Sequence, residues 1–194
     1  MPTPAPTVDP TQTLRWVCTS NVYDERNPFA GRIVRFQTPI DINPNENADV
    51  LAAIENYERM TGGTVDFNIV DTDPLVGISV IEGDAIDGRG QPGCGNVTNG
   101  RDAASDHVFQ VDSDGIFNSL IYVHLGSSGC NHVQVGYETY SIAEHEMAHA
   151  LGIGEHFTDF NGNEGLSPNL KAVVVMLYNI PPETDMSALC SGIK

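Results

Sequence analysis

The run HEMAHALGIGEH, residues 145–156, restricts what this 194-residue chain can build more than any other stretch. On an α-helix, residues four apart lie on one face, one turn above the other, so His145 and His149 can present two imidazoles to a single point. Glu146 sits next to the first of them and projects to the side of that point. This is the arrangement a divalent ion needs when two histidines hold it and a carboxylate must reach its water. Such a helix must start just before His145. Ser141-Ile142-Ala143-Glu144 supplies that start as a capping box, in which the serine hydroxyl accepts a backbone N–H and the glutamate reaches back. The predicted helix runs on to Gly152 or Gly154. Gly152 can adopt a positive φ and turn the chain, so that a third donor swings under the same point.

Two neighbouring side chains compete to be that donor. Glu155 stands three residues after Gly152, and His156 one residue later. If His156 is the ligand, the turn carries one extra residue, and Gly154 makes such a bulge sterically cheap. Imidazole and carboxylate both bind zinc, but three neutral imidazoles leave more Lewis acidity on the ion, which favours His156. Glu164 is a third, more distant candidate, against which the glycine after the second histidine argues.

The match His145, Glu146, His149 and Gly152, followed by Val175-Met176-Leu177-Tyr178 twenty residues after His156, resembles the metzincin zinc metalloproteases with their HExxHxxGxxH signature and methionine-containing turn. The chain departs from that pattern at the third histidine, which falls one residue late. The resemblance implies an α+β fold: a twisted mixed β-sheet backed by helices, the zinc helix at the floor of a cleft, and a small C-terminal subdomain. It implies one catalytic Zn²⁺ on His145, His149 and His156, with Glu146 as general base. Met176 would form an apolar floor beneath the imidazoles. Tyr178 would serve as a fifth ligand or as a donor to the oxyanion. The function implied is a secreted endopeptidase that hydrolyses polypeptides with metal-activated water. The alternative is a latent or non-catalytic domain with a structural zinc. Specific positions match only within residues 145–178; from about residue 32 to 190 the likeness is one of element order.

The rest of the chain reads as a single domain, residues 32–194, with an upper part to about 154 and a lower part from 155. Before it lies an N-terminal tether, residues 1–31, opening on the Pro/Thr-rich MPTPAPTVDPTQT. That opening has neither the basic nor the apolar region of a signal peptide. Strands are predicted at Arg32–Thr38, Thr64–Val70, Gly77–Ile81, Val108–Val111 and Leu120–Leu125. A helix is predicted from an Asn47 cap to about Met60, stopped by Gly62 and Gly63. Residues 83–106 read as a long loop, and Thr184 to Cys190 as a short closing helix. A substrate would lie extended along an edge strand near Val108–Val111 or Leu120–Leu125, with pocket walls from Asn179 to Pro182.

Twenty-six acidic residues against nine basic ones give a net charge of −17, which repels nucleic acid and anionic membrane surfaces and excludes both as partners. No apolar run is long enough to span a bilayer, and a monomer is expected. Cys18, Cys94, Cys130 and Cys190 form no CxxC, so two disulfides in an oxidising, extracellular setting are expected. Pairing Cys94 with Cys130 and Cys18 with Cys190 ties down a loop and the two ends. A Cys18 thiolate held on the metal is the alternative that would keep the site latent. Asp159, Asn161, Asn163 and Glu164 offer oxygens suited to Ca²⁺, although the glycine among them is misplaced for an EF-hand. Asn96-Val97-Thr98 is a glycosylation sequon. His107, His124 and His132 do not follow the spacing of a second zinc site and read as surface or core residues.

Overall fold

The computed structural model describes residues 8–21, 33–86, 90–127, 132–135, 138–158, 160 and 167–193. In chain order the elements are α1 (Pro10–Ser20), β1 (Ile40–Asn43), α2 (Ala48–Thr61), β2 (Phe67–Ile69), β3 (Gly77–Glu82), β4 (Gly95–Thr98), β5 (Leu120–Leu125), β6 (His132–Val135), β7 (Glu138–Ser141), α3 (Ile142–Ala150), α4 (Pro168–Asn179) and α5 (Met186–Leu189). The architecture is α+β. Five strands form a mixed sheet in the order β2-β1-β3-β5-β4, and β6 and β7 form a separate hairpin. All neighbours in the large sheet are parallel except β4, which runs antiparallel to β5.

The centre of the sheet follows from its apolar runs. Gly77 to Val80 are buried at every position, as expected of a parallel strand covered on both faces. Ile121, Val123, His124 and Leu125 bury the paired positions of β5. Helix α2 starts and stops where the sequence places it. The Asn47 side chain accepts from the Val50 amide, and Gly62 ends the helix at φ +65°. Its buried stripe of Val50, Ala53, Ile54, Tyr57 and Thr61 keeps the helical period.

Four segments differ from the sequence reading. Residues 33–37 make a single bridge, Arg35 with Ile116, and the first regular strand begins only at Ile40. Val108–Val111 contributes one bridge, Val111 with Phe117, because its neighbours carry no alternating pattern. The expected loop 83–106 contains β4, a strand hidden by its composition of Gly, Asn, Val and Thr. Strand β5 is paired on both sides, so the sheet ends at β4 and not at Leu120–Leu125.

Two further differences concern helices. Part of the expected tether is α1. Asp9 caps it, Pro10 occupies its first turn, and it packs against α4 with Val17 fully buried. Polar residues at two of its three buried positions, Thr13 and Ser20, hide the period. The stretch around Val175-Met176-Leu177-Tyr178, expected as a turn, is the last half of α4. Ser167 caps that helix and Pro168 begins it, and Leu170, Val173, Val174 and Leu177 form the buried i, i+3, i+4, i+7 stripe.

Cys18 is bridged to Cys190, which joins α1 to the chain just past α5. The expected partner of Cys94, Cys130, lies outside the described residues, as do Asp159, Asn161, Asn163 and Glu164. Among the described residues no helix is long and apolar enough to cross a membrane.

Candidate metal centre

Helix α3 forms for the reasons its sequence announces. Ser141 Oγ accepts from the Glu144 amide at 3.4 Å, and Ile142, Ala143, Met147, Ala148 and Ala150 bury its inner face. The Glu144 carboxylate, expected to reach back to its own cap, instead accepts from Asn56 Nδ2 at 2.6 Å, and Tyr57 donates to the Glu144 carbonyl at 2.8 Å. Two bonds from α2 therefore hold the first turn of the helix that carries His145, Glu146 and His149.

The chain leaves α3 through Gly152, at φ +106°. A Cβ there would lie 2.4 Å from the Val34 carbonyl oxygen, so the position requires glycine for space as well as for conformation. Asn21, itself buried, clamps the same turn. Its Nδ2 donates to Gly152 O at 2.7 Å and to Val34 O at 2.6 Å, and its Oδ1 accepts from Val34 N at 2.9 Å. The end of α1 holds the next residues: Ser20 O accepts from Gly154 N at 2.6 Å and from Glu155 N at 3.3 Å. That pair of bonds absorbs the extra residue in the turn and delivers His156.

The outcome is a triangle of nitrogens. The Nε2 atoms of His145, His149 and His156 stand 3.2 Å from one another on all three sides. Three nitrogens on one zinc at about 2.0–2.1 Å, with tetrahedral angles, stand about 3.3 Å apart, so the donor set fits zinc. Among the described residues these three histidines are the group that could hold a metal ion. Glu155 is exposed and does not belong to the group.

The surroundings prepare the nitrogens for a cation. His149 Nδ1 lies 2.6 Å from the Ile153 carbonyl, so it carries the proton and donates it there, leaving the Nε2 lone pair to face its partners. Burial, reinforced by His145, pulls the pKa of His149 down to about 3, and burial lowers His156 as well. Both rings are therefore neutral near pH 7. Phe160, 3% exposed, packs on all three imidazoles with ring centroids 5.1, 5.2 and 4.8 Å from His145, His149 and His156. Phe157 packs edge-on to Phe160, and Trp16 of α1 stacks on Phe157.

Glu146 is 6% exposed, and its Oε1 lies 3.9 Å from His145 Nε2. It stands beside the triangle without belonging to it. Burial raises its pKa to about 8.

Two other expected residues lie on α4. Tyr178 is buried and donates its hydroxyl to the Leu151 carbonyl at 3.1 Å, with the Arg35 guanidinium 5.4 Å over its ring. Burial pushes its pKa up. Met176 is half-buried on α4, and the apolar side chain stacked on the imidazoles is Phe160. Phe160 escaped the sequence reading because, apart from Phe157, the stretch around it is polar and shows no periodicity.

Strand β4 runs past the same site. Gly126 N donates to Cys94 O at 2.8 Å, so the register turns the backbone groups of Gly95 and Val97 away from β5 and outward. His107 takes one of them, with its Nδ1 donating to Val97 O at 2.6 Å. The sequon asparagine, Asn96, is engaged within the fold: its amide donates to Ala103 O at 2.9 Å. His124 is buried, with Nε2 2.9 Å from Thr98 Oγ1. The His132 side chain lies outside what the structure describes. No protein-family model matches the chain, and no curated protein matches it.

Proposed function

We propose that the chain is a secreted, zinc-dependent endopeptidase of the metzincin type, cleaving polypeptides by attack of water. The observation that carries this reading is the 3.2 Å triangle of Nε2 atoms with a separate buried carboxylate oxygen 3.9 Å from one of them. His145, His149 and His156 would hold the zinc, which when bound polarises a carbonyl and brings the pKa of a coordinated water toward neutrality.

The remaining work belongs to the chain. Glu146 takes the proton of the attacking water and later delivers it to the leaving amine, which is why it must lie beside the donors and not among them. The Ile153 carbonyl holds the His149 ring in its working tautomer. The substrate adds as an extended strand to the outward edge of β4, where the backbone groups of Gly95 stand next to Glu146. Tyr178 has a supporting part in this reading, through its bond to Leu151 at the end of the zinc helix.

A purely structural zinc closes its sphere with four protein donors, usually including cysteine. Cys18, the thiolate that would have kept the site latent, is bonded to Cys190. The test is elemental analysis of the purified protein together with casein cleavage in the presence and absence of chelator. Glu146→Ala keeps the zinc and lowers turnover by about 10²–10⁴-fold. A zinc-loaded wild type that leaves casein intact, or a Glu146→Ala variant as fast as wild type, overturns the reading.

A further inference from the structure

The space that Glu146 occupies belongs, in any other sequence, to the side chain of residue 95. A Cβ built on Gly95 would lie 2.4 Å from Glu146 Oε1, 2.5 Å from its Cγ and 2.7 Å from its Cδ. Non-bonded heavy atoms essentially never come that close to a Cβ, and all three nearest neighbours belong to one side chain. Gly95 lies at the start of β4, in a register opposite Leu125. Glycine weakens a strand, and inside one it marks a place where another group approaches closely. Its φ is outside the left-handed region reserved for glycine, unlike that of Gly152, so the backbone here would accept any residue. The atoms that stand in the way of a side chain at position 95 are those of Glu146.

The Glu146 side chain packs directly against Gly95. Its neighbours Met147 and Ala148 are fully buried, and α3 packs against β4 with Glu146 lying on Gly95. A methyl group at residue 95 leaves the fold intact, since the far end of a side chain can swing away. It moves the carboxylate, however, from its place 3.9 Å from His145 Nε2.

We infer that Gly95 is a positioning residue for Glu146: the missing side chain on the substrate-edge strand holds the proton acceptor against the metal site. The inference rests on the reading of Glu146 as general base. It also links the two elements of that reading, because the residue that makes room for the base presents its outward backbone groups to the substrate.

The test compares wild type with Gly95→Ala, both zinc-loaded, on casein. Gly95→Ala lowers kcat about 10²-fold, the size of effect expected from displacing a catalytic group by about an ångström. KM and zinc content stay within twofold of wild type, which a general structural defect would not leave unchanged. A second measurement does not depend on turnover. In zinc-free protein, Gly95→Ala lowers the melting temperature when Glu146 is present and raises it or leaves it unchanged in the Glu146→Ala background, where the contact no longer exists. An active wild type with an equally active Gly95→Ala variant, or additive melting shifts, overturns the inference. An inactive zinc-loaded wild type overturns the peptidase reading instead, while the melting cycle still decides the contact.

Discussion

The carbonyl of Ser20, at the last residue of the first helix, accepts a hydrogen bond from the amide of Gly154 at 2.6 Å. One hundred and thirty-odd residues of chain separate the partners, yet the bond fixes the turn that carries His156. Asn21 adds three more bonds to the same junction, to Val34 and Gly152. Removing its amide strands those buried backbone groups, each at about 1–3 kcal/mol. Asn21→Ala is therefore expected to lower the melting temperature by at least about 6 °C, at about 2–4 °C per kcal/mol for a chain of this size. Zinc affinity should fall by about 10–100-fold, as for other groups that orient metal ligands from behind. Calorimetry and a chelator competition titration measure the two effects.

The identity of the third donor is open to a direct comparison. His156→Ala removes one corner of the nitrogen triangle, whereas Glu155 points to solvent outside it. His156→Ala is expected to purify with well under one zinc per chain and Glu155→Ala with one. Elemental analysis of both proteins decides, and the reverse result would hand the position to the carboxylate.

Phe160 and Met176 make a second pair. Truncating Phe160 opens a cavity beneath the three imidazoles, at about 3–5 kcal/mol, and lets the rings reorient. Phe160→Ala is expected to weaken zinc binding by at least tenfold. Met176→Leu, on a half-buried face of α4, should bind zinc as wild type does. Isothermal titration of the zinc-free proteins would show an equal loss in both if Met176 were the floor.

Without metal, stability should respond to pH from two sides. Burial raises the folded pKa of Glu146 to about 8 from an ordinary 4.5, so its contribution is complete below pH 4.5 and disappears as pH rises through 8. Burial lowers His149 to about 3 from 6.5, so its contribution is complete above pH 6.5 and is lost as pH falls toward 3. His124 and His156, both lowered by burial, add to that acid side. Between pH 6.5 and 8 the carboxylate acts alone. Zinc-free wild type is expected to melt lower at pH 8 than at pH 6.5, and Glu146→Gln to abolish that difference. Melting curves in chelator across this range check both statements.

The helix that carries the site was legible because its signals are local: a serine cap, histidines one turn apart and a glycine exit. Helix α2 and strands β3 and β5 were legible for similar reasons of period and apolar content. What escaped was what depends on distant chain. Helix α1 looks like a tether because two of its three buried positions, Thr13 and Ser20, are polar, and its partner α4 lies more than 140 residues away. Strand β4 looks like loop because its glycine exists to accommodate Glu146, not to favour extension. Phe160 carries no pattern at all, and its role emerges only when three rings converge on it. The methionine and tyrosine near residue 177 misled in the opposite way, since a run of valines suits a buried strand and a buried helix equally.

The bridge from Cys18 to Cys190 closes a ring of 172 residue steps. Any single backbone scission inside that ring yields two pieces that still travel as one molecule, so a chain nicked once there would keep α1 and the three histidines together. Reduction, and not the cut, would then be the event that ends its working life.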